Sequence, residues 1–189
     1  MARSARAAGS SSLTWRKILD ELERGREPDS PSQHKVAMGL LHGMPMRGDG
    51  LLAGWRARVS VFPDVLARSM AKHHLRVFPY WLAARRLARR DARLFELQSL
   101  LDGAFHVVGA LSAANGLYFT TFKFKTMRAY IAGVTNAPTN LADRLESLFT
   151  PPSEAAAGEL RRLVSETVDF VEARFPDLDT PKVRSLLSR

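Results

Sequence analysis

Residues 91–118 read DARLFELQSLLDGAFHVVGALSAANGLY. No proline interrupts the stretch, and Leu94, Leu97, Leu101, Phe105, Val108, Leu111 and Asn115 recur every three or four residues. That spacing puts them on one face of an α-helix. Asn115-Gly116 supplies the stop, because glycine enters the left-handed conformation of a helix end without a steric penalty. The stretch therefore predicts the longest and most buried helix of the chain, with that face turned inward.

The helical period continues on both sides. Upstream, Trp15, Ile18, Leu19 and Leu22 share a face from Thr14 until Gly25 stops it. Glu27–Pro31 is turn material, residues 33–42 read as a short helix, and the glycine-rich 43–50 loop ends on Asp49, a candidate cap for a helix turning Leu51, Leu52, Trp55 and Val59 inward. Pro63 opens a helix carrying Val65, Leu66, Met70 and Leu75, since a first-turn proline loses no intrahelical donor. Pro79 breaks it, and 80–90 sets Trp81, Leu82 and Leu87 against Arg85, Arg86, Arg89 and Arg90 on an amphipathic, cationic helix. Downstream, a helix is expected over 123–131, a turn over 136–140 with Asn140 capping 141–149, and a helix from Ser153 to Phe175 bearing Leu160, Leu163, Val164, Val168 and Val171. Thr180-Pro181 opens a short terminal helix. No period-two alternation and no internal repeat occurs. The expected fold is an all-α bundle of about six to eight helices with short loops: a basic, disordered tail over 1–13, a helical domain over 14–150, and C-terminal helices over 151–189 packed on or appended to it.

Composition narrows the function classes. With 46% apolar and 25% charged residues, the 189-residue chain has the make-up of an ordinary globular protein. No segment approaches the roughly 18 apolar residues of a membrane span, so a soluble chain with no membrane partner is expected. The absence of cysteine excludes disulfides, a thiolate nucleophile and cysteine-bound zinc, and points to a reducing cytoplasm. Twenty-eight Lys and Arg against 19 Asp and Glu leave a net charge of +9, which favours polyanions, nucleotides or an acidic partner. Much of that excess follows from an Arg-, Ala- and Leu-rich composition.

The motifs of chemistry are sparse. His73 and His74 are adjacent and diverge by about 100° on a helix, and His34, His42 and His106 have no partner at metal-ligand spacing, so no metal site is expected. Neither a GxSxG elbow nor a phosphate-cradling GxxxxGK[ST] or GxGxxG loop is present, and no catalytic residue can be named. What remains is Asn115, Tyr118, Lys123, Lys125 and Arg128 around the loop that follows the long helix, where the cations can meet phosphate or carboxylate oxygens. The other reading of the same residues is structural: Phe119, Phe122 and Phe124 seat the loop while the charges stay in water. Arg85, Arg86, Arg89 and Arg90 form a second cationic patch, either an anion site or a solvated face.

The stretch ALSAANGLYFTTFKFKTMRAYIAGVTNAPTNLADRLESLF, residues 110–149, resembles the C-terminal helical region of bacterial nucleotidyltransferase-domain proteins of the minimal and aminoglycoside-modifying type. There a helix ending in Leu-Asn-x-x-Tyr runs into an aromatic-Lys loop and a Pro-x-x-Leu-x-x-Arg-Leu helix; Asn115, Tyr118, Lys123, Pro138, Leu141, Arg144 and Leu145 stand in those places. Residues 43–75 are similar to the Gly-x-Pro…Trp-Arg…His-Leu stretch that precedes it, and the likeness covers about 15–150. The resemblance implies a helical domain that holds the acceptor substrate. Its departure is equally specific: the Gly-Ser loop and Asp-x-Asp pair that hold the metal-bound triphosphate in that family are absent, so Mg and a nucleoside triphosphate are expected only with a separate catalytic domain or protein, and no cofactor with this chain alone. A substrate-binding or partner module, inactive alone, is the first expectation. The alternatives are a basic helical nucleic-acid-binding protein and a small standalone transferase.

Overall fold

The computed structural model describes residues 15–26, 30–44, 49–150 and 153–189. Ten α-helices occur among them: α1 over 15–23, α2 (Pro31–His42), α3 (Asp49–Ser60), α4 (Asp64–His74), α5 (Ala84–Leu87), α6 (Arg93–Ala114), α7 (Met127–Ile131), α8 (Leu141–Ser147), α9 (Ser153–Arg174) and α10 (Pro181–Leu187). Two 3₁₀ turns, Tyr80–Leu82 and Thr121–Thr126, complete them, and no strand occurs among the described residues. The class is the expected one. The count exceeds the expected six to eight, and 80–90 and 123–131, each expected as one helix, begin as 3₁₀ turns. The 1–13 tail, the Glu27–Asp29 part of the first turn, residues 45–48 of the 43–50 loop, Pro151-Pro152 and the capping side chains of Asp49 and Ser153 lie outside the described residues.

Helix α6 runs through the centre, with α4 and α9 packed along it. Its ends fall where the sequence puts them, and Gly116 at φ +66° makes the left-handed stop. The buried face is not the expected one. Glu96, Ser99, Leu100, Gly103, Ala104, Val107 and Val108 are buried, whereas Leu94, Phe95 and Leu101 are exposed. Two helices crowd α6 closely, and small residues let their backbones approach. The bulky leucines are displaced to the outside, and only at Val108 and Leu111 do expected and observed faces coincide.

Helix α9 lies in the core: Leu160, Leu163, Val168 and Val171 are fully buried, each worth about 1.5–3 kcal/mol of apolar transfer. Arg144 of α8 reaches Glu159 at 2.5 Å and Glu166 at 2.7 Å, which ties α8 across α9. Helix α9 thus packs against both α6 and α8. Helix α1 is fastened to α3 by Arg58, which reaches Asp20 at 2.7 Å and Glu23 at 2.8 Å, and by stacking of Trp15 on Trp55 at 5.8 Å.

The 80–90 segment fails as one amphipathic helix because Tyr80 is drawn fully into the core and Trp81 Nε1 donates to the Leu186 carbonyl at 3.2 Å. Leu82, expected inward, is exposed. Two expected side-chain caps are also absent. Asn140 sits at φ 55° without capping α8, and the Thr180 hydroxyl donates to Glu172 at 2.5 Å in place of α10.

Candidate ligand groove

The segment after α6 is bound into place from several directions. Asn115 Nδ2 donates to the Leu111 carbonyl at 2.7 Å and the Asn136 carbonyl at 3.0 Å, while its Oδ1 accepts from the Asn136 amide at 2.9 Å and the Thr135 hydroxyl at 3.2 Å. Asn115 therefore clamps the 135–136 turn to the end of α6. The Phe119 amide donates to His34 Nδ1 at 3.2 Å, across 85 positions of sequence, and the Thr120 hydroxyl accepts from the Phe122 amide at 3.1 Å to start the 3₁₀ turn. That turn lets Phe124 meet Phe105 edge-on at 4.3 Å and delays the α-helix expected from Lys123 until Met127.

The consequence is an open groove of about 520 Å³ between α2, the end of α3 and the 116–133 segment. Its walls include Met38, His42, Phe62, Tyr118, Lys123 and Tyr130. Tyr118 is buried, packs edge-on against Phe62 at 4.7 Å, and donates to the Val59 carbonyl at 3.3 Å. The Tyr130 hydroxyl stands 2.8 Å from Ser112 Oγ and 3.0 Å from the Tyr118 carbonyl, which share its one proton, since Ser112 donates its own to Val108. Burial pushes both phenols up to about 12, with Glu23 adding to the effect at Tyr118. Both remain neutral at physiological pH and serve as apolar wall with a fixed hydroxyl. The charged wall group from the 116–133 segment is Lys123, whose ammonium lies 5.6 Å from the Tyr130 ring centre.

The five residues singled out from the loop are therefore divided. Tyr118 and Lys123 share the groove. Lys125 and Arg128 line a different hollow of about 600 Å³ with Met127, Leu145 and Phe149. Arg128 is engaged there by Glu146 at 2.6 Å and Asp143 at 2.7 Å, bonds that hold its guanidinium further above its ordinary range and fasten α7 to α8. Lys125 stands over the Phe122 ring at 5.5 Å, as does Lys35 at 5.1 Å, a cation that the local pattern did not bring into view. Asn115 belongs to the frame. Arg85, Arg86, Arg89 and Arg90 are exposed on a separate lobe. The groove also depends on Tyr130, Phe62 and Ser112, which the sequence reading missed; Tyr130 alone left a local signal, a tyrosine on the otherwise small and polar turn before Ile131.

A histidine cluster lies beside the Phe119 anchor. His74 is 6% exposed and is surrounded by His73 at 4.9 Å, His106 at 5.5 Å and Phe119 at 5.8 Å between ring centres. Burial, reinforced by His106, His73 and His34, drives its imidazolium down to about 3 from the ordinary 6.5. Among the described residues no group of three His, Asp or Glu is arranged to hold a metal ion. Between 6.5 and about 3 the unfolded chain takes up a proton here and the folded chain does not, so stability is fully present above 6.5 and drains away as pH falls. Denaturant titrations at about pH 7.5 and about pH 5.5 are expected to differ by about 1.4 kcal/mol more in the native chain than in His74→Leu. An equal difference in the two proteins would remove His74 from this role.

The search for relatives is negative throughout: no family model, no curated protein and no solved structure matches the chain.

Proposed function

We propose that the chain is a ligand-holding helical module of nucleotidyltransferase type, inactive alone, whose groove takes a small molecule with a flat ring and an anionic group. The observation that carries this reading is the coincidence of the groove with the segment that bears the resemblance. Tyr118 and Lys123, two of the positions matched to the family, are brought onto one concave wall with Phe62 and Tyr130. Aromatic walls favour a planar ligand, and one ammonium amid neutral phenols favours a single negative charge. The absent Gly-Ser and Asp-x-Asp pattern argues that transfer chemistry belongs to a separate catalytic domain or protein, with Mg and the nucleoside triphosphate held there. No internal ion pair to a carboxylate engages Lys123 among the described residues, in contrast to Arg128.

Calorimetric titration with adenosine monophosphate and with uncharged adenosine tests the reading. The monophosphate is expected to bind about tenfold more tightly, as one charge-assisted contact provides, and Lys123→Ala is expected to erase that difference while adenosine binding persists. Absence of binding by both probes, or a Lys123→Ala chain that still prefers the monophosphate, would reject it.

A further inference from the structure

Residues 76–95 form a lobe of unusual surface chemistry. They contain six arginines, Arg76, Arg85, Arg86, Arg89, Arg90 and Arg93, against Asp91 as the sole acid, a net of +5 out of the chain's +9. Five arginines elsewhere are answered internally: Arg58, Arg68, Arg128, Arg144 and Arg184 each reach two carboxylates. On the lobe, Arg76, Arg86, Arg89 and Arg90 form no ion pair among the described residues, Arg85 comes no closer than 3.7 Å to Glu154, and Arg93 reaches Glu96 at 3.5 Å. The same lobe exposes large apolar side chains, Leu94 at 83%, Phe78 at 48%, Phe95 at 47% and Leu82 at 45%. Phe78 and Phe95 meet edge-on at 5.9 Å, so the ends of the stretch are closed on each other, while Tyr80 and Trp81 seat its middle on the bundle.

The charge says what covers this surface. A second copy would set +5 against +5, and the chain's own Met1–Ser12 stretch carries Arg3 and Arg6 with no acid. The occupant is anionic. The leucines then separate the anionic candidates. A nucleic acid backbone accepts arginines, yet it gains through stacking on aromatic planes and offers aliphatic side chains little. An acidic bilayer offers both partners at the right depths, phosphates for the guanidinium groups and an acyl boundary for leucine and phenylalanine.

We propose that the 76–95 lobe docks on an anionic lipid bilayer, with Leu94, Phe95, Phe78 and Leu82 entering the boundary below the headgroups and the arginines around them bound to lipid phosphates. The contact is peripheral; no helix among the described residues is long and apolar enough to cross a membrane. It is independent of the groove, which is lined by different residues, chiefly from the segment that follows the other end of α6.

Co-sedimentation of the full chain with vesicles tests this. Phosphatidylcholine vesicles containing about a third phosphatidylglycerol are expected to carry the protein down, and pure phosphatidylcholine vesicles are not. Arg89→Glu with Arg90→Glu is expected to lower partitioning about tenfold or more. Leu94→Asp is the second variant; the position is largely in solvent, and an acid in the first turn of α6 suits the helix end, so the fold is retained. It is expected to lower partitioning about tenfold as well. Three results would overturn the proposal: equal sedimentation with neutral vesicles, no sedimentation with acidic ones, or Leu94→Asp behaving as the native chain. Retention on duplex DNA that ignores Leu94→Asp, without vesicle binding, would assign the lobe to nucleic acid instead.

Discussion

Leu160→Ala is expected to lower the unfolding free energy by about 2–5 kcal/mol, a large fraction of the total for a domain of this size. Leu160 is fully buried on α9 and lies directly over Gly103 of α6, where an added Cβ would stand 2.7 Å from its Cδ2. Truncation leaves a cavity at the contact of the two longest helices, neither of which can move inward without losing its other partners. A denaturant titration followed by circular dichroism should show one transition, shifted as a whole, because α9 and α6 share one core. Two transitions, with only the 153–189 signal displaced, would mean that the C-terminal helices fold apart from the rest.

The second large effect concerns Gly109. An ideal Cβ there would lie 2.5 Å from Cε1, Nδ1 and Nε2 of His74, a rigid ring already enclosed by His73, His106 and Phe119. Gly109→Ala is therefore expected to destabilise by about 1–3 kcal/mol, even though alanine alone would favour the helix by about 1 kcal/mol. In a His74→Ala background the ring is gone, and the same glycine change should reverse sign and stabilise by about 1 kcal/mol. Thermal or denaturant melts of the four proteins close the cycle. Additive changes would show that the ring and the glycine do not confine each other.

How much of this was legible in the sequence follows from what each signal measures. The limits of α6 were readable because proline-free periodicity and Asn115-Gly116 are local properties of the chain. Its inward face was not. Periodicity weighs bulk, so Leu94, Leu97, Leu101 and Phe105 stand out, whereas crossing helices select Ser99, Gly103 and Ala104 for closeness. The split of 80–90 was hidden for the same kind of reason: Tyr80 is fully buried and Trp81 is tied to Leu186, 105 positions away, contacts that no local pattern encodes. In the groove, the aromatic-lysine loop was visible as a cluster. Its division into Tyr118 and Lys123 on one wall and Lys125 and Arg128 on another depends on a 3₁₀ turn and on Asp143 and Glu146, which approach only after α8 folds back.

The Asn115 clamp has an entropic corollary. Because one amide side chain fixes the 135–136 turn by both its oxygen and its nitrogen, the wall beside it has little freedom left to surrender when a guest arrives. A host so prearranged keeps more of its contact energy as affinity.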